Sequence, residues 1–146
     1  MAKEIERKYL VKDLSYREMA ESHVRIEQGY LCREPERTVR VRIKGERGFL
    51  TIKGITRGFT RDEFEYEIPL ADAEKMLAMC QGRIVKKIRW NVPYKGYHWE
   101  VDEFEGLETP LTVAEIELPS AETEFSEPPF IGMEVTGDPR YYNSNL

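Results

Sequence analysis

The side chains of this chain that could do chemistry recur two residues apart and are sorted by sign. Arg40, Arg42 and Lys44 form one basic series with Lys53 in the next strand, and Lys87 and Arg89 form another. Glu100 and Asp102, then Glu115 and Glu117, repeat the spacing with acids, as do Glu63, Glu65 and Glu67. Near the start Glu4, Glu6 and Lys8 share the same phase. In an extended strand, residues two apart point to one face, so each series is a stripe. Carboxylates clustered without His or Cys suit a hard divalent cation such as Mg²⁺ or Mn²⁺. Clustered Arg and Lys suit an oxyanion, and the guanidinium fork grips phosphate oxygens well. A site holding both sets suits a metal–polyphosphate complex, in which cation and anion neutralise opposite walls.

The elements that must position these residues are strands. Period-two alternation predicts eight of them, over about 3–11, 24–32, 38–44, 48–54, 62–69, 83–92, 97–104 and 113–118. Turns are expected at Gly45-Glu46-Arg47 and Tyr94-Lys95-Gly96, with a looser one over 54–61. Helices are expected over 13–22, capped by Asp13 or Ser15, and over 70–80, with Gly82 as its stop. The second presents Leu70, Ala73, Met76, Leu77 and Cys80 as a core-facing stripe. From Pro119 the chain reads as a surface tail packing on the rest. For any one strand the simplest reading is a solvated charged face opposite an apolar one. Segregated sign argues against it, because like charges facing across neighbouring strands are destabilising. An eight-stranded antiparallel barrel with the ionic stripes inward would enclose the charges and remove sheet edges. Periodicity alone leaves open which face points inward.

Composition bounds the alternatives. One domain over residues 1–146 is expected, and 40% hydrophobic residues, with 11% aromatic, suffice for a core despite 34% charge. Mean hydropathy is −0.59 and no apolar run reaches the length of a membrane span. The first residues contain no continuous apolar segment of the secretory kind. A formal net charge of −5 disfavours nucleic acid as a partner. Cys32 and Cys80 lack metal-ligand spacing, which suits a cytoplasmic protein with reduced thiols. Trp90, Trp99, Phe64 and Tyr66 fall on the apolar faces, where packing under helices or at a subunit contact is expected. His98 shares the phase of Glu100 and is expected at the surface or a site mouth.

In order along the chain, several motifs resemble the CYTH superfamily, the triphosphate tunnel metalloenzymes. They are Glu4-Ile5-Glu6-Arg7-Lys8, Gln28-Gly29-Tyr30-Leu31, Arg40-x-Arg42, Lys53-Gly54, Glu65-x-Glu67, Lys87-x-Arg89, Glu100-x-Asp102 and Glu115-x-Glu117. The run 134–146 also resembles the endings of small bacterial members. The resemblance implies a mainly β, α+β fold: an eight-stranded antiparallel closed barrel whose charged interior forms a tunnel, with a few short helices outside. It implies metal-dependent hydrolysis of a triphosphate, inorganic tripolyphosphate foremost. It further implies that Glu4, Glu6, Glu100, Asp102, Glu115 and Glu117 bind metal, Mg²⁺ or Mn²⁺. Lys8, Arg40, Arg42, Lys53, Lys87 and Arg89 would bind phosphate, and Lys8, Tyr30, Lys53, Glu65 and Glu67 would assist catalysis. The partner implied is a small triphosphate, and an apolar barrel exterior under short helices suggests a homodimer.

Other readings stay open at this point. Within the family they are a class IV-type adenylate cyclase and a thiamine triphosphatase. Outside it they are a non-catalytic polyphosphate- or nucleotide-binding module, which so many carboxylates would hinder, and a lipid-binding barrel, which leaves the segregation of sign unexplained.

Overall fold

The computed structural model describes residues 5–58, 61–142 and 145–146, so Glu4 lies outside the described residues. The elements are β1 (Glu6–Val11), α1 (Tyr16–Met19), β2 (Ser22–Glu34), β3 (Arg37–Lys44), β4 (Arg47–Gly54), β5 (Glu63–Ile68), α2 (Leu70–Ala78), β6 (Gln81–Tyr94), β7 (Tyr97–Phe104), β8 (Leu111–Glu117) and β9 (Ile131–Glu134). The fold is mainly antiparallel β with few helices, the class expected from the sequence. Nine strands stand among the described residues rather than eight, the ninth coming from the presumed tail. The chain forms two compact units, one over Arg25–Lys86 and one over Glu4–Val24 and Lys87–Asn145, each taken over its described residues.

In the first unit the strand order is β5-β4-β3-β2, with the start of β6 beside β2. The β3–β4 turn has two residues, and Gly45 takes the positive φ of 63° that its first position requires. Helix α2 packs on β3 and β4. Ala73 is fully buried there, and Gly48 admits the helix, because a Cβ on Gly48 would come within 2.7 Å of the Ala73 Cβ. Two expectations are corrected. The helix ends at Ala78, and Gly82, with a φ of 72°, lies inside β6 rather than stopping a helix. Of the two places expected for Phe64 and Tyr66, beneath a helix or at a subunit contact, the first is ruled out, because both are exposed on the edge strand β5.

In the second unit the order is β6-β7-β8-β1-β9. The β6–β7 turn is Lys95-Gly96, with φ of 45° and 84°, the left-handed pair of a tight hairpin. One face carries the core: Tyr9, Val92, Trp99, Val101, Ala114 and Ile116, joined by Tyr16 from α1 and Phe130 from the C-terminal segment. Tyr9 meets Trp99 edge-on at 5.7 Å, and Tyr16 meets Phe130 at 5.8 Å. Helix α1 is four residues long, not the ten expected over 13–22, and Ser22 already belongs to β2. The segment after Pro119 is no mere surface tail: Phe130, Ile131 and Val135 are buried, and β9 pairs with β1.

Candidate functional site

In the second unit the register gathers the predicted residues on the face opposite the core. Arg89 pairs with Asp102, Asn91 with Glu100, Glu100 with Glu115, Lys8 with Glu115, and Glu6 with Glu117. Cross-strand partners share a face, so Glu6, Lys8, Lys87, Arg89, Glu100, Asp102, Glu115 and Glu117 form one ionic surface. Much of it is not solvated. Lys87 is 0%, Asp102 2%, Arg89 7% and Lys8 8% exposed.

Asp102 binds the two least exposed bases of this surface. Lys87 Nζ lies 2.8 Å from its Oδ2, and Arg89 donates from Nε to Oδ1 at 2.8 Å and from Nη2 to Oδ2 at 2.9 Å. Burial alone would raise the carboxyl's pKa, but the Lys87 ammonium and then the Arg89 guanidinium hold it well below the usual carboxylate range. Both Asp102 oxygens are thus occupied by cations of the protein. Arg89 Nη1 reaches on to Glu100 at 3.1 Å. Lys8 lies 3.5 Å from Glu115, and the C-terminal segment fixes its backbone: Lys8 N donates to Thr136 Oγ1 and Val135 N donates to Lys8 O. His98 is exposed, with Nε2 3.2 Å from Asn91 Oδ1.

In the first unit Tyr30, Arg40, Arg42, Lys53, Glu65 and Glu67 share a face by the registers of β2 through β5. Sign alternates by strand here, basic on β3 and acidic on β5. Glu65 accepts from Thr51 Oγ1 at 3.0 Å and stands 3.8 Å from Arg40, while Lys53 stands 3.9 Å from Glu63. Glu67 accepts from Arg47 Nε at 3.0 Å, and that hydrogen bond lowers the pKa of its carboxyl. The Tyr30 ring lies 5.4 Å from the Arg33 guanidinium.

Two residues of this face had no role in the sequence reading of the charges, Gln28 and Thr51. Both are buried. Gln28 Oε1 accepts from Arg42 Nε at 2.8 Å, and Thr51 Oγ1 accepts from Arg40 Nη2 at 3.3 Å. The available signal was phase: Gln28 alternates with Tyr30, and Thr51 with Lys53, so each is a neutral residue standing in an ionic stripe.

The acids fit a hard divalent cation in kind. The donors are all oxygen, and the like-charged cross-strand pairs Glu6/Glu117 and Glu100/Glu115 are arrangements that a cation between them would relieve. Among the described residues no group of three His, Cys, Asp or Glu side chains is already converged as a metal site.

Comparison with known proteins gives a consistent picture. The description of the CYTH domain matches residues 2–142. An inorganic triphosphatase of Acetivibrio thermocellus is 45% identical, covering 100% of this chain and 94% of that protein. An inorganic triphosphatase of Nitrosomonas europaea is 36% identical, covering 98% of this chain and 95% of that protein. A solved structure of an inorganic triphosphatase superposes with a TM-score of 0.72 at 33% identity, covering 99% of this chain and 94% of that one.

Proposed function

The chain belongs to the CYTH domain family, and on that premise we propose that it is a metal-dependent triphosphatase. The substrate is inorganic tripolyphosphate, hydrolysed to pyrophosphate and phosphate. The observation that carries this reading is the burial of the ionic face: Lys8, Lys87, Arg89 and Asp102 are among the least exposed side chains of the protein. Ions are kept from water only where they are paired or meet a counter-charge. The relatives named inorganic triphosphatase support the same substrate class.

In this reading Lys8, Arg40, Arg42, Lys53, Lys87 and Arg89 take the phosphate oxygens. Tyr30 orients the terminal phosphate, and Lys8 or Lys53 donates to the leaving pyrophosphate. Glu4, Glu6, Glu100, Glu115 and Glu117 hold the cation, Mg²⁺ or Mn²⁺. Asp102, expected among the metal ligands, instead orients Lys87 and Arg89, since both its oxygens already accept from them. Glu65 and Glu67 act as further acids, Glu65 through Arg40 and Thr51. The chemistry that a divalent ion supplies when bound is neutralisation of phosphate charge and activation of water, so a histidine base is not required. Free Cys32 and Cys80 suit a cytoplasmic setting, and the exposed Phe64 and Tyr66 suit a homodimer contact. No helix among the described residues is long and apolar enough to cross a membrane.

The test is phosphate release from tripolyphosphate, longer polyphosphate, ATP and thiamine triphosphate, with Mg²⁺, Mn²⁺ or chelator, together with an assay for cyclic AMP. Tripolyphosphate is expected to turn over fastest, and only with metal. Cyclic AMP from ATP, or thiamine triphosphate as the best substrate, would replace this reading. Glu6→Gln should lose turnover and should also lack the rise in melting temperature that Mg²⁺ is expected to give the wild type. Wild-type activity in that variant would remove Glu6 from the metal set.

A further inference from the structure

Gln28 is fully buried at the middle of β2, on the face that carries Arg40 and Arg42. Its Oε1 accepts from Arg42 Nε at 2.8 Å. A guanidinium only donates, so this contact fixes the amide: the oxygen faces Arg42 and the NH₂ group points away from it. Among the described residues the buried Gln28 Nε2 has no acceptor, and neither has the buried Arg40 Nε. Arg40 is the register partner of Tyr30 and Arg42 that of Gln28, so the two unmet donors stand on successive rungs of one face. A buried donor without a partner forfeits its hydration, and native proteins rarely leave one so. Two such N–H donors, one of them the Arg40 guanidinium's own, with the Arg42 guanidinium beside them, call for an acceptor rich in lone pairs and negative charge.

We propose that Gln28 is a substrate-binding residue, donating from Nε2 to a non-bridging phosphate oxygen while its Oε1 sets the plane of the Arg42 guanidinium. This rests on the triphosphatase reading and adds to it a neutral residue that binds the anion. The choice of side chain follows. A glutamate would hold Arg42 at least as well but would turn an acceptor and a negative charge toward the phosphate. A lysine would bind phosphate but could not accept from Arg42.

The test separates the two roles. Gln28→Glu retains the acceptor for Arg42. If KM for tripolyphosphate stays at the wild-type value, Gln28 only anchors Arg42. If it also donates to phosphate, KM rises about tenfold or more, with a smaller change in kcat. The second measurement needs no variant in the binding experiment. In the wild-type protein with chelator present, the side-chain amide resonance of Gln28 should move when tripolyphosphate is added, and not when chloride is added to equal ionic strength. If Gln28→Glu does not fold, this resonance decides alone. A stationary resonance, or an unchanged KM in folded Gln28→Glu, overturns the inference even though the wild type hydrolyses tripolyphosphate. A wild type that neither binds nor hydrolyses tripolyphosphate overturns the parent reading instead, and this inference with it.

Discussion

Replacing Asp102 by Asn removes one charge from between two buried cations of the ionic face at almost constant volume. The carboxylate meets Lys87 Nζ at 2.8 Å, Arg89 Nε at 2.8 Å and Arg89 Nη2 at 2.9 Å, and neither Lys87 nor Asp102 is solvated. Each attraction at such distances is of order 4 kcal/mol even at an effective dielectric of about 20, before desolvation is subtracted. Removing one partner of a buried pair costs about 3–5 kcal/mol, because the remaining charge stays out of water. For a domain with about 5–15 kcal/mol of stability that is a large fraction. Urea unfolding at neutral pH, followed by far-UV circular dichroism, should register the loss. Asp138→Asn is the control: its pair with Arg140 is shorter, at 2.6 Å, but Arg140 is largely exposed, so the unfolding midpoint should hardly move. The pH dependence has a definite sign. The folded pKa of Asp102 lies below the unfolded value of about 3.9, so its stabilisation is complete above that value and fades as the pH falls beneath it. Wild type should therefore lose more stability than Asp102→Asn on acidification below about pH 4. A loss under about 1 kcal/mol in Asp102→Asn would mean that water screens the face, and the reasoning from burial would fail.

Two predictions concern the scaffold. The Tyr16 hydroxyl, buried and donating to Glu103, is pushed up to about 12, first by burial and then by that hydrogen bond. Its contribution is present below the unfolded tyrosine value of about 10 and lost as the pH rises toward 12. Tyr16→Phe should lower stability at neutral pH by about 1.5–3 kcal/mol, the worth of a bond to a charged acceptor. It should also flatten the alkaline limb of a stability–pH curve and leave turnover unchanged. Gly48→Ala places a Cβ 2.7 Å from the Ala73 Cβ and 3.1 Å from the Ile68 carbonyl oxygen. Overpacking of this kind costs about 1–3 kcal/mol, measurable as a fall in urea midpoint. Pairing it with Ala73→Gly should recover part of the loss.

The sorting of faces was legible because it depends only on period two, and burial of one face forbids a one-residue slip. β7 matches its expected bounds because Lys95-Gly96 can adopt only a tight turn. The boundaries that were missed have local causes. Gly82 read as a helix stop because its positive φ is what such a stop needs; here the same φ serves a strand in which an added Cβ would meet the Arg33 guanidinium at 2.9 Å. Asp13 and Ser15 read as caps of a long helix, but Asp13 accepts from Ser15 N and Oγ, a local turn that stands in for a cap and leads into four helical residues. β9 and the buried Phe130 and Val135 were hidden because four residues are too few to display alternation. Gln28, quoted within a motif but given no role, and Thr51 were passed over because a search by charge skips neutral side chains, whose value depends on which ions the fold sets beside them.

The distribution of charge within the second unit argues for more than anion binding. At one end of its ionic face Asp102 is set between Lys87 and Arg89, and the acid is outnumbered. Toward the other end stand Glu6, Glu117, Glu115 and Glu100, four acids in cross-strand pairs, with Lys8 opposite Glu115 in the register and Arg89 Nη1 reaching Glu100. A module built only to hold a polyanion would keep the cations and dispense with the acids, which repel the ligand and one another. A solvated surface would mix the signs and expose them. Acids in excess at one end and cations in excess at the other suit a ligand that is itself a salt, phosphate oxygens on the cations and a divalent ion on the carboxylates. If so, metal and tripolyphosphate should each bind more tightly in the presence of the other, and by the same factor. Calorimetric titrations of Mg²⁺ and of tripolyphosphate into Glu115→Gln, which is expected to lose most of that coupling, measure the factor; equal coupling in variant and wild type would show that the acid-rich end holds no ion.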